Sequence, residues 1–254
     1  MAGRRTIHLK SKGELELMRE AGRIVAITLG RLREAAKPGV STLDLDRIAE
    51  SSAREFGAIP SFLNYHGFPA SLCASINSEI VHGIPRKDRV LVEGDIVSLD
   101  FGAIWKGFHG DSAITVGVGR VSEVAERLMR VTEECLRIGI AAAHARNHLT
   151  DIGAAVEAHA AAAGFSVVRK YVGHGIGQEM HEAPEVPNFG PAGLGPRLRP
   201  GLVLAIEPMV NVGTHETIER PDGWTVVTAD GSLSAHFEHT VAVTDGEPQI
   251  LTLP

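Results

Sequence analysis

Between Ser11 and Lys37 the apolar residues Leu15, Met18, Val25, Leu29, Leu32 and Ala36 recur at helical spacing, which predicts a first helix. Lys37-Pro38-Gly39 ends it, because proline cannot continue a helix and glycine tolerates the turn that follows. Ser41-Thr42-Leu43-Asp44 reads as an N-cap with an acid in the first turn, and a second helix runs on to Gly57. Short β-type runs at 71–76, 96–103 and 112–116 follow. Two more helical patterns cover about 122–144 and 150–164, and the remainder returns to strands and Gly/Pro-rich loops, notably 187–201.

The order is therefore helix, helix, strands, twice over. Asp44 and Asp151, the helix-ending Gly57 and Gly164, and Gly94-Asp-Ile-Val-Ser-Leu-Asp100 and Gly201-Leu-Val-Leu-Ala-Ile-Glu207 each lie 107 positions apart. His109-Gly-Asp111-Ser-Ala-Ile-Thr-Val116 resembles His236-Phe-Glu238-His-Thr-Val-Ala-Val243 at an offset of 127, so an insertion such as 213–232 reconciles the two spacings. A repeat this long is no solenoid. It predicts one domain, 1–254, whose halves, about 11–117 and 121–245, pack with a site at their junction.

Alternation along Asp95-Ile-Val-Ser-Leu-Asp100-Phe places Val97, Leu99 and Phe101 on one strand face and Ser98 and Asp100 on the other. A hairpin centred between Trp105 and Lys106 sets Asp100 directly opposite Asp111, with Cβ atoms about 4.5–5.5 Å apart. Two carboxylates so placed repel, and either one is protonated or a cation lies between them. A lone Asp at a strand end is more often a turn residue. The repeat alters that weighting, because Glu207 and Glu238 form a second such pair. Four carboxylates converging on one cleft call for divalent cations.

His174, in Tyr171-Val-Gly-His174-Gly-Ile-Gly177, is the candidate fifth ligand, its flanking glycines permitting a tight bend and positive φ. Oxygen ligands with one imidazole suit Mn, Fe(II) or Co, leave Zn open and fit Ca less well. His82 and His181 are candidates for hydrogen-bonding a developing oxyanion or a leaving amide, weighed evenly against surface histidines. Tyr65-His66-Gly67-Phe68-Pro69 gathers aromatics in a chain with only 5% of them, lining a pocket or filling the core.

Composition narrows the class. Of 254 residues 44% are hydrophobic and 22% charged, as in an ordinary globular protein, and the net charge of −6 argues against a specific nucleic-acid partner. Cys73 and Cys135 are too few for a disulfide framework. The N-terminal Met1-Ala-Gly-Arg-Arg-Thr-Ile-His8 has no apolar core behind its charge, and no run approaches the length of a membrane span. A cytoplasmic location without membrane association is the expectation.

Five segments together carry a specific resemblance: Asn77-Ser-Glu-Ile-Val-His82-Gly-Ile-Pro, Asp100 with Asp111, Gly173-His174-Gly-Ile-Gly-Gln-Glu-Met-His181-Glu, Ile206-Glu207-Pro208 and Glu238-His-Thr. Across essentially its whole length the chain resembles the type I methionine aminopeptidases of compact bacterial form. The resemblance implies the pita-bread α/β (α+β) fold, a curved antiparallel sheet flanked by helices with pseudo-twofold symmetry. It implies removal of the initiator methionine of nascent peptides when the next residue is small, through attack of a metal-bridging hydroxide on the first peptide bond.

Asp100, Asp111 and Glu238 would hold one divalent metal, and Asp111, His174, Glu207 and Glu238 the other, with Co, Mn, Fe(II) and Zn all compatible. Glu207 would shuttle a proton, His181 stabilise the carbonyl oxygen, and His82 contact the scissile amide nitrogen. The α-amino group would bind on the Asp100 side. The methionine pocket would comprise Phe62, Tyr65, Phe68, Cys73, His82, Met180, His181 and Trp224. Phe62 stands where cysteine is common, Phe68 where tyrosine is and Met180 where phenylalanine is, so the pocket's shape departs from the better-known pattern. A monovalent cation near Asn77 and Ser234, a transient ribosome contact and a monomeric state complete the expectations. Proline-specific peptidases share the catalytic domain but usually carry an extra N-terminal one, type II enzymes carry a helical insertion, and a metal-free binding protein would typically have lost ligands.

Overall fold

The computed structural model describes residues 6–254. Residues 1–5, part of the segment read above for targeting, lie outside it. Four helices form where the apolar periodicity predicts them: α1 (Lys12–Ala35), α2 (Thr42–Glu55), α3 (Glu123–Ala142) and α4 (Leu149–Ala162). Their starts are chemically marked. The Ser11 hydroxyl caps α1 while the Glu14 side chain reaches back to the Ser11 N–H, a full capping box. Ser41 and Ser122 accept from the third residue of α2 and α3 in the same way. Among the described residues no helix is long and apolar enough to cross a membrane.

The helices cover one face of a nine-stranded sheet in which every pairing is antiparallel. This is the α/β class expected. Along its main path the strands run Ile59–Pro60, Ile96–Trp105, Phe108–Gly117, Glu238–Ala242, Val203–Ile206, Gly173–Gly175 and Glu182–Val186. Val97, Leu99 and Phe101 pack on Ile24, Leu32 and Leu45 of α1 and α2. Leu204, Ile206 and Val241 pack on Leu136 of α3 and Ile152 of α4 in a second cluster. Period-two alternation then turns Asp100, Asp111, Glu207 and Glu238 to the opposite face.

One predicted register is corrected. The hairpin turns on Lys106-Gly107, so that Trp105 faces Phe108, Asp100 faces Ala113 and Asp111 faces Gly102. Both turn residues have positive φ (48° and 83°), the two-residue turn whose twist suits a hairpin. The shift is two residues, an even number, so the two acids keep their face but become diagonal neighbours. The segment 213–232 forms the hairpin of strands Thr217–Glu219 and Val226–Thr228, which pairs with Glu79–Val81 in a separate small sheet.

Leu99 is fully buried beneath the helices. Leu99→Ala should therefore cost about 2–5 kcal/mol. Urea unfolding of the metal-free protein measures it; a change under about 0.5 kcal/mol, the range of a surface substitution, would contradict this packing.

Candidate active site

Five neighbouring strands deliver the predicted ligands in spatial order: Asp100, Asp111, Glu238, Glu207, His174. Glu238 and Asp100 both flank Ala113, so the three lie in one row across the sheet. His239 faces Ile206, and continuing that register sets Glu207, which directly follows the strand Val203–Ile206, beside Glu238. His174 faces Ala205 on the next strand. Thr240 locks the centre: its hydroxyl accepts from the Asp111 N–H at 3.0 Å and donates to the Asp111 carbonyl at 2.8 Å.

The glycines flanking His174 act differently from the expectation. Neither Gly173 nor Gly175 has positive φ. A Cβ on Gly173 would fall on the Ala205 carbonyl and one on Gly175 on the Ala183 carbonyl. Close approach of the two neighbouring strands, rather than a bend, excludes side chains there. The Gly175 carbonyl accepts from His174 Nδ1 at 2.9 Å, which leaves Nε2 with its lone pair toward the acids, 3.7 Å from Glu207 Oε1.

Asp111, His174 and Glu238 each offer a ligand atom within 4.8 Å of the others. Two full negative charges at that separation repel by on the order of 3 kcal/mol at an effective dielectric near 20. One oxygen each of Asp100, Asp111 and Glu238 is buried without a hydrogen-bond partner. Oxygen donors left orphaned in this way fit a hard or borderline cation. Burial pushes the Asp100 carboxyl up to about 7, against a hydrogen bond shared with Asp111 that lowers it. Asp111, Glu207 and Glu238 are driven well above the carboxylate range, first by burial and then by neighbouring acids. Burial lowers His82 to about 4 and His174 to about 3, with His181 adding to both, so both are neutral at pH 7.

The cluster floors a cavity of about 270 Å³. Every predicted pocket residue lines it: Phe62, Tyr65, Phe68, Cys73, His82, Met180, His181 and Trp224. The Tyr65 hydroxyl lies 2.7 Å from His181 Nδ1, and the His181 ring stacks obliquely on His174 with centroids 4.2 Å apart. Trp224 comes from the inserted hairpin and meets Phe68 edge-on at 5.1 Å and His82 at 6.3 Å. Asn77 and Ser234 are neighbours, the Ser234 N–H donating to the Asn77 carbonyl at 2.9 Å. The Asn77 amide oxygen already accepts from the Ile96 N–H at 3.0 Å.

His66, within the aromatic segment 65–69 singled out in the sequence, also lines the cavity. Sequence reasoning gives no role to two further residues. His109 is buried and lies 2.9 Å from the Ser61 hydroxyl. His236 is buried with both ring nitrogens unpartnered, Nε2 lying 3.8 Å from Glu207 Oε2. A signal existed for both. His109 and His236 are matched by the repeat, and each stands two residues before an acid; His109 shares the strand Phe108–Gly117 with Asp111, whereas His236 ends the strand Ser234–His236 just ahead of the one that carries Glu238.

The sequence profile of metallopeptidase family M24 matches residues 16–245. A methionine aminopeptidase of Clostridium acetobutylicum is 56% identical over 97% of this chain and 99% of that protein. Methionine aminopeptidase 1 of Mycobacterium tuberculosis is 54% identical over 100% of this chain and 97% of its own. The crystal structure of a Thermotoga maritima methionine aminopeptidase superposes with a TM-score of 0.97 at 41% identity, covering 98% of this chain and all of that one.

The raised carboxyls set a pH dependence. Their folded-state values exceed the unfolded ones, so without a cation their contribution to stability is present below the ordinary carboxylate range and lost as pH rises through the raised values, about 7 for Asp100 and well above the carboxylate range for Asp111, Glu207 and Glu238. A bound cation displaces those protons and gains on them as pH rises. The increase in Tm on adding Mn²⁺ to chelator-stripped protein should thus be larger at pH 8 than at pH 6; equal increases would contradict the cluster's role.

Proposed function

The chain belongs to metallopeptidase family M24, and on that premise we propose that it is a methionine aminopeptidase removing the initiator methionine from nascent peptides whose second residue is small. The observation that carries this reading is that the acid cluster and the aromatic, sulfur-lined pocket share one cavity. A peptide N-terminus entering it meets apolar walls with its side chain and carboxylates with its amine. That arrangement suits an exopeptidase, since a mid-chain segment has no ammonium to satisfy the acids.

In this reading Asp100, Asp111 and Glu238 hold one divalent cation and Asp111, His174, Glu207 and Glu238 a second. Bound there, Co, Mn, Fe(II) or Zn would supply an activated water and polarise the scissile carbonyl. Glu207 takes the proton of the attacking water and passes it toward the leaving nitrogen. His181, its Nδ1 engaged by Tyr65, presents Nε2 to the carbonyl oxygen. His82, neutral at pH 7, contacts the scissile amide nitrogen. Met180 and Cys73 offer polarisable sulfur to the substrate's thioether.

Residues 1–254 act as one catalytic domain of two pseudo-repeat halves in this account, with a monovalent cation beside Asn77 and Ser234. Such substrates arise at the ribosome, so a cytoplasmic site of action, a transient ribosome contact and a freely diffusing monomer belong with it.

Protein loaded with Co²⁺ or Mn²⁺ should hydrolyse Met-Ala-Ser and leave Ala-Pro-Ala intact; the reverse preference would overturn the substrate assignment. Glu207→Gln should lower kcat by about 100-fold or more. Asp100→Asn should chiefly reduce metal content and weaken binding of the free amine. Wild-type turnover and metal content in both variants would defeat the ligand assignment.

A further inference from the structure

Outside the cavity one ion pair stands apart. Lys10, in the extended segment ahead of α1, sets its ammonium against the Glu182 carboxylate, and only 5% and 9% of the two side chains are exposed. In the arginine–carboxylate pairs of the described residues the arginine is at least 39% exposed. Exposed pairs of that kind contribute little. A buried pair carries a desolvation cost, and losing one member strands a buried charge. Its presence points to a demand of position.

That position is the base of the loop over the acid cluster. Glu182 directly follows His181 and opens the strand Glu182–Val186, where it faces Gly175. The Glu179 N–H points to Glu182 Oε1 at 3.4 Å, and the Gly177 N–H donates to the Glu179 carbonyl at 3.2 Å. A Cβ on Gly177 would fall on both the Glu182 carboxylate and the Lys10 stem, so the loop folds directly against the pair. The Gly177 carbonyl accepts from the His109 N–H at 2.8 Å, tying the other end of the loop to the central hairpin. Lys10 is itself fixed, its N–H donating to the Gly201 carbonyl at 2.6 Å just ahead of the strand that leads to Glu207.

We propose that Lys10 and Glu182 form a positioning clamp that sets the loop 177–182, and with it Met180 and His181, over the acid cluster. Neither residue touches the substrate, and both act through the loop. The inference rests on the reading of Met180 and His181 as substrate-facing groups, so its test separates the two.

Lys10→Met, Glu182→Gln and the double variant would be compared in metal-loaded protein, with His181→Ala as reference. Each single variant should lower kcat for Met-Ala-Ser roughly tenfold through misplacement of His181, with metal content unchanged. The double variant should fall no further than the worse single one, because the two residues act as a unit. Amide hydrogen exchange should quicken by about tenfold or more across 177–182 while α1–α4 keep wild-type rates. Glu182→Gln is nearly isosteric and keeps the test open if Lys10→Met folds poorly. Additive losses, or wild-type exchange in the loop, would overturn the clamp. Wild-type kcat in His181→Ala would instead defeat the assignment of His181, and the exchange data would then judge the clamp alone.

Discussion

Repulsion among carboxylates held on one face of an antiparallel sheet is the constraint on which the rest of this structure depends. Two are aspartates on a hairpin and two are glutamates on the matching strands of the second half, and their charge is removed from bulk water. Such a face is unstable alone. Protons can relieve it, and burial does push the carboxyls toward protonation. A divalent cation relieves it without giving up the charge that chemistry needs. The helices serve the same end from the opposite face: two apolar clusters hold the strands in the one register that gathers the acids.

The arrangement also accounts for the surroundings of the acids. Thr240 grips the Asp111 backbone through both its N–H and its carbonyl, keeping the middle of the row from drifting. The Gly175 carbonyl selects the His174 tautomer. Membership of metallopeptidase family M24 agrees with a site whose orphaned oxygens ask for a metal. Apolar and aromatic side chains wall the cavity above that site, and low-dielectric walls strengthen electrostatic contacts within it.

Much of this was legible in the sequence, and the parts that were not have physical reasons. Helices are written locally, so the serine caps at Ser11, Ser41 and Ser122 and the apolar spacing suffice to find them. Strand faces follow from alternation, and Asp100 was placed on its face correctly. Register is decided elsewhere. The turn falls on Lys106-Gly107, where both residues take positive φ, one position beyond the expected centre between Trp105 and Lys106, and the pairing register shifts by two residues. The glycines beside His174 serve strands more than thirty residues away in one case, a reason no local reading contains. Lys10 gave no signal at all, since its partner lies 172 positions along the chain.

The two-cation occupancy proposed for the acid row is open to direct test. Crystals of Mn²⁺-loaded protein, measured with anomalous diffraction at the manganese edge, test it most directly. The account predicts two anomalous peaks on the sheet face, one bounded by Asp100, Asp111 and Glu238 and the other by Asp111, His174, Glu207 and Glu238. No peak among these residues, or a peak elsewhere with the acids left protonated, would contradict it.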